Sequence, residues 1–268
     1  MSGIRLDGKV ALITGAGSRI GLGRAMTLAL VEAGARVAMM DVDSEALEQT
    51  AAEVRQIGGK ECVATIVASA ADPEEAEQAV RQALSELGGL HILVNNAGIN
   101  PRHTFWDLPV DAWTRTLGVN VSGPFFMARA AAPHLRNQGW GRIVGVTTSL
   151  DTMLRTMPYG PTKAAHEAFM AVLASELEGS GVTANVLVPG GAVDTNMTRG
   201  ASLGNLLQPD VMRSPVVWLA SNESDGFNGR RIIARRWDES LPIEQRLERC
   251  SAPVGWPQLG RPPAELER

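Results

Sequence analysis

The sequence predicts an α/β fold in which helices cover both faces of a parallel β-sheet. Two observations carry this prediction: short apolar runs alternate with longer helix-like stretches, and the first apolar run leads into a glycine-rich turn. Runs that are apolar throughout are typical of strands buried on both faces. Strands that alternate with helices favour parallel pairing through right-handed crossovers. The 268 residues, 44% of them hydrophobic, suffice for one large domain.

The apolar runs and their helical partners can be assigned in chain order. Strands are predicted at residues 10–14, 35–41, 61–67, 90–95, 141–146, 182–188 and 231–234. Ser44 and Asp72 are predicted to open helices because both are good N-cap residues, and Pro73 then takes the favoured first helical position. Another helix is predicted over residues 210–220.

Two segments depart from the alternating pattern. Residues 195–209 form a long loop, which we expect to be a lid over a substrate. Residues 238–268 contain five prolines and no clear period. We therefore expect one domain over residues 1–237, followed by a C-terminal extension that lies on the surface or at a subunit interface.

Charge and composition exclude several classes of function. The net charge of −4 gives no basic footprint for nucleic acid. With only Cys62 and Cys250, a disulfide framework is not expected. The first residues resemble no secretory signal, and no apolar run approaches the ~20 residues that span a bilayer. The four histidines show no metal-ligand spacing. We expect a cytoplasmic protein without a metal and without membrane or nucleic-acid partners.

The glycine-rich turn predicts a dinucleotide site. Gly15, Gly17, Gly21 and Gly23 lie between the first strand and a helix-like segment, and Asp41 ends the second strand eighteen residues after Gly23. Such glycines let backbone N–H groups approach a pyrophosphate at a positive helix N-terminus. A carboxylate at this distance accepts hydrogen bonds from a ribose. The fold class is therefore a Rossmann-type doubly wound parallel β-sheet.

These features resemble the classical short-chain dehydrogenase/reductase family. The family loop usually reads T-G-x-x-x-G-x-G, whereas TGAGSRIGLG separates Thr14-Gly15 from Gly21-Leu22-Gly23 by five residues. The distance to Asp41 favours a two-residue insertion. An N-N-A-G motif follows the fourth strand, a P-G motif follows the sixth, and the resemblance extends from residue 6 to about residue 235.

The resemblance implies a set of cofactor-binding residues. They are Gly15, Ser18, Arg19, Ile20, Gly21, Asp41, Asn96, Ala97, Gly98, Tyr159, Lys163, Pro189, Gly190, Val193 and Thr195. Asp41 repels a 2′-phosphate and Val42 offers no cation, which favours NAD over NADP. Arg19 argues for NADP if it pairs with a phosphate. Ser69 stands where the family often has an aspartate that contacts adenine.

Tyr159 and Lys163 are the candidate acid–base pair. Tyr159 is the chain's one tyrosine, and the two residues share a helix face at a spacing of four. A neighbouring cation favours the phenolate that a tyrosine needs at neutral pH. The resemblance adds Asn120, which bends a helix and holds a water, and a hydroxyl that positions the substrate oxygen. Ser149 is expected to supply this hydroxyl, although counting residues from the fifth strand assigns the same position to Thr148.

The expected function is NAD(P)-dependent oxidoreduction that interconverts a secondary alcohol and a ketone. The alternatives are a non-catalytic NAD-binding sensor or scaffold, and an epimerase or dehydratase that uses bound NAD. The substrate is expected to be a small molecule.

The expected pocket walls include Ile99, Leu150 and Met153. Candidate side chains for an anionic substrate are Arg102, His103, Arg155 and Arg199. The resemblance implies a homotetramer, or a dimer, built partly on the helix that carries Tyr159. In such an assembly Trp237 and Trp256 would reach a neighbouring subunit.

Overall fold

A computed structural model describes residues 3–200 and 204–256, and it confirms the doubly wound parallel sheet. The strands are β1 (Val10–Thr14), β2 (Arg36–Asp41), β3 (Val63–Val67), β4 (Ile92–Asn95), β5 (Gly141–Val146), β6 (Val182–Val188), β7 (Arg230–Ile233) and β8 (Ser251–Pro253). Their order in the sheet is β3-β2-β1-β4-β5-β6-β7-β8. Strands β1 to β7 pair in parallel, and β8 pairs antiparallel with β7.

Helices cover both faces of this sheet. They are α1 (Leu22–Glu32), α2 (Ser44–Gly58), α3 (Pro73–Leu87), α4 (Val110–Leu117), α5 (Gly123–Asn137), α6 (Leu150–Met153), α7 (Tyr159–Glu176), α8 (Arg213–Leu219) and α9 (Ile243–Cys250). Buried side chains of α1, α2 and α8 form the core on one face. Those of α3, α5 and α7 form the core on the other. The central strands are mostly apolar because both of their faces are covered.

The strand order reverses at β1, which pairs with β2 on one side and β4 on the other. In open parallel sheets, ligands bind outside the carboxyl ends of the strands at this point of reversal. The segments that follow β1, β4, β5 and β6 therefore converge at one edge of the sheet.

Local capping explains where two of the helices begin. Asp72 caps α3 as predicted, because its carboxylate accepts hydrogen bonds from the backbone N–H groups of Glu74 and Glu75 at 2.9 and 3.0 Å. The prediction for α2 was wrong by one residue. Asp43 is the cap, with its carboxylate accepting from the Ala46 backbone N–H at 3.0 Å, and Ser44 is the first helical residue. A carboxylate one residue earlier has taken the role expected of the hydroxyl.

The predicted helix at residues 210–220 is divided in two. A 3₁₀ turn over Pro209–Met212 precedes α8. Within the described part of the chain, no helix has the length and apolar character needed to cross a membrane. The same residues contain no cluster of three or more His, Cys, Asp or Glu side chains suited to a metal ion.

The C-terminal extension is more ordered than its sequence suggested. Residues 243–250 form α9, and β8 then adds to the sheet, with Ser251 opposite Ile232. Trp237 packs on Trp218 of its own chain, with ring centroids 5.5 Å apart. Its contact therefore lies within the subunit. Residues 257–268 lie outside the described residues, and the domain boundary at residue 237 stays a prediction.

Candidate active site

The glycine turn after β1 brings two stretches of backbone into close contact. Gly15 has a φ of +68°, which favours glycine. A Cβ at Gly23 would lie 2.2 Å from the carbonyl oxygen of Gly15, so α1 can pack here only if this position has no side chain. Gly21 precedes α1 as its N-cap. This geometry agrees with the two-residue insertion, because Gly21 and Gly23 stand at the start of the helix.

Asn96 joins this turn to the end of β4. Its amide nitrogen donates to the carbonyl oxygens of Thr14 and Gly15 at 2.9 and 3.0 Å. In return, the Thr14 hydroxyl accepts hydrogen bonds from the backbone N–H groups of Asn96 and Ala97 at 3.1 and 3.0 Å. The N-N-A-G motif therefore supports the glycine turn.

Asp41 lies beside the turn and is fixed by backbone donors. One carboxylate oxygen accepts from the Gly17 N–H at 2.8 Å, and the other accepts from the Asp43 N–H at 3.2 Å. A Cβ at Gly17 would lie 3.1 Å from the Asp41 side chain. The carboxylate is thus held beside the turn, and Arg19 is an exposed residue of that turn.

These residues fit a dinucleotide. The first turn of α1 has no acidic side chain and no side-chain cap, so its backbone N–H groups and helix dipole favour an anionic group. The glycines allow close backbone packing at the start of α1, where a Cβ at Gly21 or Gly23 would meet protein atoms within 3 Å, and Asp41 supplies a carboxylate at the end of β2. Ser18 and Ile20 complete the loop, with the Ser18 hydroxyl donating to the Ile20 carbonyl at 3.4 Å.

Tyr159 and Lys163 lie on the first turns of α7. The Lys163 Nζ atom is 5.6 Å from the centroid of the Tyr159 ring and donates to the carbonyl oxygen of Val146 at 2.8 Å. A Cβ at Gly98 would lie 3.3 Å from the same Nζ, so the glycine leaves the β4 side of the ammonium without a side chain against it. The structure therefore brings the ends of β4 and β5 to the candidate acid–base pair.

Burial opposes charge on both members of the pair. It lowers the pKa of Lys163 from 10.5 to about 8. Burial also raises the pKa of Tyr159 above its ordinary value of 10.0. The sequence had suggested that the neighbouring ammonium lowers the pKa of Tyr159. In the structure of the chain alone, loss of solvation decides the direction instead.

Asn120 lies in a π-helical turn, Gly118–Ser122, between α4 and α5. Its amide oxygen accepts from the Ile99 N–H at 2.9 Å, and its amide nitrogen donates to the Ile99 carbonyl at 3.0 Å and to the Thr162 hydroxyl at 2.9 Å. The side chain is fully buried. Asn120 thus joins the segment after β4 to α7, and the π turn is the bend expected of this position.

The two candidate hydroxyls after β5 differ in their contacts. The Ser149 Oγ accepts from the Thr152 N–H at 3.2 Å and lies 2.9 Å from the Thr152 hydroxyl, so it caps α6. The Thr148 hydroxyl makes no hydrogen bond within residues 3–200 and 204–256, and its carbonyl accepts from Arg231 at 2.9 Å. The assignment of Ser149 as the substrate-facing hydroxyl stays a prediction.

The P-G motif forms the wall after β6. Gly190 has a φ of +89°, and a Cβ there would lie 2.6 Å from the Ile233 side chain. The Pro189 carbonyl accepts from the Arg235 N–H at 2.9 Å. Val193 is buried and forms an isolated parallel β-bridge with Leu207.

The loop that follows contacts the glycine turn. The Thr195 N–H donates to the Thr198 hydroxyl at 3.0 Å. The side-chain amide of Asn196 donates to the Ser18 hydroxyl at 3.2 Å, and its backbone N–H donates to the Ile20 carbonyl at 3.3 Å. Residues 201–203 of the expected lid lie outside the described residues.

The side chains expected to line the pocket lie in two neighbouring segments, which His103 and Met157 join by an antiparallel bridge. Leu150 is exposed and Ile99 half-buried, but Met153 is buried beneath the first turn of α7.

The candidate cations for an anionic substrate have other contacts. Arg102 donates to the backbone carbonyls of Met197 and Arg199. Arg155 pairs with Asp151 at 2.7 Å.

Three buried polar residues near the site were not singled out from the sequence: His166, Glu167 and Arg231. Glu167 forms an ion pair with Arg231, and His166 lies one helical turn from Lys163. Burial and the neighbouring Lys163 charge hold the pKa of His166 well below its usual range, so this imidazole is neutral. The available signal was the spacing of four between Lys163 and Glu167, which places both on one face of α7.

Comparison with known proteins agrees with this geometry. The profile of the short chain dehydrogenase family matches residues 9–205. An L-rhamnose 1-dehydrogenase (NAD(P)(+)) from Sphingomonas sp. (strain SKA58) is 31% identical over 245 residues, covering 85% of this chain and 95% of that protein. A D-threitol dehydrogenase from Mycolicibacterium smegmatis is 33% identical over 244 residues, covering 85% and 92%.

A solved structure shows the same architecture. The short-chain type dehydrogenase/reductase from Mycobacterium marinum is 31% identical and superposes with a TM-score of 0.78, covering 85% of this chain and 94% of that one. Relatives of this kind are dehydrogenases and reductases that act on CH–OH groups with NAD or NADP. The chain belongs to the short-chain dehydrogenase/reductase family of oxidoreductases.

Proposed function

We propose that this chain is an NAD-preferring dehydrogenase that interconverts a secondary alcohol and a ketone, with Tyr159 as the proton donor and acceptor. The observation that carries the proposal is the convergence of Tyr159, Lys163 and the end of β5 at the carboxyl edge of the sheet. This edge also carries the glycine cradle and Asp41.

The residues of the chain divide the work as follows. In oxidation, the Tyr159 hydroxyl oxygen takes the proton of the substrate alcohol, and in reduction it returns that proton to the carbonyl oxygen. Lys163 uses one of its three N–H donors on Val146 and retains two for the cofactor ribose and the phenol. The bound nicotinamide supplies the hydride acceptor and, when oxidised, a positive charge that favours the phenolate.

Asn120 and the hydroxyl pair Thr148–Ser149 complete the proposed machinery. Asn120 forms hydrogen bonds with both Ile99 and Thr162, and these bonds hold the segment after β4 against α7. We propose that the water of the proton relay binds at this junction between the segment after β4 and α7. A hydroxyl of the Thr148–Ser149 pair donates to the substrate oxygen. The remaining cofactor contacts are assigned to Ser18, Arg19, Ile20 and Gly21, to Ala97 and Gly98, and to Pro189, Gly190, Val193 and Thr195.

The preference for NAD rests on Asp41. Its carboxylate is held by two backbone N–H groups beside the glycine turn, so the carboxylate cannot move away to make room for the 2′-phosphate of NADP. A fixed negative charge disfavours an anionic group through repulsion and unfavourable desolvation. Arg19 is exposed in the same loop, and it is the residue that a 2′-phosphate would use.

The named relatives guide the choice of substrates. Two of the relatives are named for L-rhamnose and D-threitol, which are small polyhydroxylated compounds. We propose a small secondary alcohol of this kind as substrate. The proposed assembly is a homotetramer, supported by Phe125 on α5 and Val172 on α7, which remain 43% and 61% exposed in the single chain.

The test is a spectrophotometric screen at ~340 nm, where reduced nicotinamide absorbs, of NAD and NADP with polyols and sugars and of the reduced cofactors with ketones. Turnover in the wild-type protein, lost in Tyr159→Phe with NADH binding retained, is the expected result. Full turnover in Tyr159→Phe would exclude the proposed mechanism. Cofactor binding without turnover across the panel would favour a sensor, and cofactor that copurifies and recycles would favour an epimerase or dehydratase.

A further inference from the structure

Three consecutive residues at the end of β5 are each held by a side chain from another element. The Val146 carbonyl accepts from the Lys163 Nζ at 2.8 Å, and the Thr147 hydroxyl donates to the Glu167 carboxylate at 3.1 Å. The Thr148 carbonyl accepts from an Nη atom of Arg231 at 2.9 Å. This short segment therefore has little freedom to move.

Glu167 and Arg231 also contact each other. Their closest nitrogen and oxygen atoms are 3.3 Å apart, and the side chains are 0% and 12% exposed. Glu167 lies four residues after Lys163 on α7, whereas Arg231 lies in β7. The pair thus connects α7 and β7, and both of its members contact the segment that follows β5.

The C-terminal extension packs against β7 and α7, the two elements that carry Arg231 and Glu167. The Val254 N–H donates to the Gly229 carbonyl at 3.0 Å, and β8 pairs with β7. A Cβ at Gly255 would lie 3.2 Å from the Ala171 side chain, one turn beyond Glu167 on α7. Burial raises the pKa of Glu167, whereas Arg231, the Thr147 hydroxyl and the Gly255 N–H favour its ionised form.

We propose that Glu167 and Arg231 are positioning residues for the reaction, which hold the end of β5 so that Lys163 and the Thr148–Ser149 hydroxyls keep their relative placement. The inference rests on the proposed function, because it assigns these two residues to the same chemistry. They touch neither substrate nor cofactor in this scheme and act through Thr147 and Thr148.

A structural role and a positioning role predict different results when both charges are removed. Replacing a buried ion pair by apolar residues of similar volume often leaves stability unchanged or higher, whereas removing one partner is strongly destabilising. The double variant Glu167→Leu/Arg231→Met therefore removes the hydrogen bonds to Thr147 and Thr148 without leaving an unpaired charge. If the pair serves only stability, this variant retains turnover.

The matched control is the partly buried pair Glu32–Arg213, at 2.6 Å, between α1 and α8. Glu32 lies at the C-terminal end of α1, which places it at the opposite edge of the sheet from Tyr159. The variant Glu32→Leu/Arg213→Met changes the same residue types there. Any effect confined to the Glu167/Arg231 variant then arises from the position of that pair.

Three readouts are measured on each full-length protein: the kinetic constants, the dissociation constant for NADH, and the NMR signal of tyrosine labelled with ¹³C at Cζ. Because Tyr159 is the chain's one tyrosine, this label gives a single resonance. We expect kcat to fall about tenfold to a hundredfold in Glu167→Leu/Arg231→Met, as for misplacement by about 1 Å. KM and NADH binding should change far less. The tyrosine resonance should shift, whereas the control variant should match the wild type in all three readouts.

Arg231→Lys supplies a second test. A lysine can keep the charge opposite Glu167 but lacks the forked donor that also reaches the Thr148 carbonyl. We expect it to keep the melting temperature and lose part of kcat. Thr147→Val, which removes only the hydroxyl contact to Glu167, should act in the same direction. Both variants retain the buried pair, so they test the proposal if the double variant does not fold.

Wild-type kcat together with an unmoved tyrosine resonance in the double variant, or in Arg231→Lys and Thr147→Val, would overturn the positioning role. Failure of the proposed function has a different signature, since the wild type itself would then show no turnover. In that case the tyrosine resonance still decides whether the pair positions the site. A shift in Glu167→Leu/Arg231→Met without one in Glu32→Leu/Arg213→Met supports it.

Discussion

Lys163 holds a positive charge inside the protein at a cost in folding free energy, and Lys163→Met should remove that cost. The lysine is buried, and its pKa falls from 10.5 to about 8 in the folded chain. This difference corresponds to about 3 kcal/mol of unfavourable free energy at pH 7. Methionine is similar in length, apolar and adaptable, so it fills the same space without a charge.

The gain is reduced by one lost contact. Lys163 donates to the Val146 carbonyl at 2.8 Å, and a hydrogen bond from a charged donor contributes about 1.5–3 kcal/mol. The net effect at pH 7 is therefore a stabilisation of about 1 kcal/mol in the chain without cofactor. For a protein of this size that is a rise of about 2–4 °C in melting temperature.

The dependence on pH has a definite sign. The folded pKa lies below the unfolded one, so the stability associated with this group is present above pH 10.5 and is lost as the pH falls through about 8. The charge costs the wild type about 3 kcal/mol at pH 7, about 2 at pH 9 and about 1 at pH 10. Lys163→Met should be the more stable protein at pH 7 and the less stable one at pH 10.

The neighbouring groups do not obscure this window. The pKa of His166 is well below its usual range and that of Tyr159 is above 10.0, so both are neutral between pH 7 and pH 9. The assay is urea unfolding of both proteins at pH 7, 9 and 10. The exposed Lys60, changed to Met, serves as the control and should follow the wild type at each pH. A constant difference between Lys163→Met and the wild type across this range would refute the reasoning.

Four further variants test the remaining assignments. Asp41→Ser should raise kcat/KM for NADP about tenfold relative to NAD, equivalent to ~1.4 kcal/mol, and an unchanged ratio in coenzyme assays would remove the argument from the carboxylate. Comparing Thr148→Val with Ser149→Ala assigns the substrate hydroxyl: the variant that loses it should lose about a hundredfold in kcat. Only Ser149→Ala should also lose about 1 kcal/mol of stability in urea unfolding, as the cap of α6. Gly23→Ala should weaken NADH binding in a fluorescence titration because its Cβ would meet the Gly15 carbonyl at 2.2 Å, and retained affinity would contradict the close packing.

The sheet could be predicted from the sequence because each strand carries its own signal. A strand buried on both faces is mostly apolar along its length, and β1, β5 and β6 show this without reference to any neighbour. The glycine turn was equally readable, since Gly15 and Gly23 are fixed by the contact between their own backbones. Tyr159 and Lys163 were singled out by their spacing on one helix together with the family resemblance, and their catalytic role stays a prediction.

What the sequence did not show depends on partners distant in the chain. Strand β8 has three residues, and its pairing opposite Ile232 defines it as a strand. Helix α9 has eight residues in a region rich in proline, too short for a clear period. The spacing of four places Glu167 on the same face of α7 as Lys163, but this spacing alone does not show that the acid is buried. Its burial becomes understandable only with Arg231, which lies 64 positions later in the chain, opposite it in the structure.

Burial around α7 links the stability of this protein to its proposed chemistry. The same loss of solvation raises the pKa of Tyr159 and lowers that of Lys163, so the folded chain alone disfavours both the phenolate and the ammonium. The proposed reaction uses both charged forms, and each can be favoured only by opposite or hydrogen-bonding groups within a few ångströms. The position of Lys163 relative to the phenol therefore affects the energy of the phenolate more strongly here than in an exposed site. Water does not screen the charge of the ammonium in this site, so a displaced ammonium loses more of its stabilising effect. The anchoring of Val146, Thr147 and Thr148 provides that placement from the protein side.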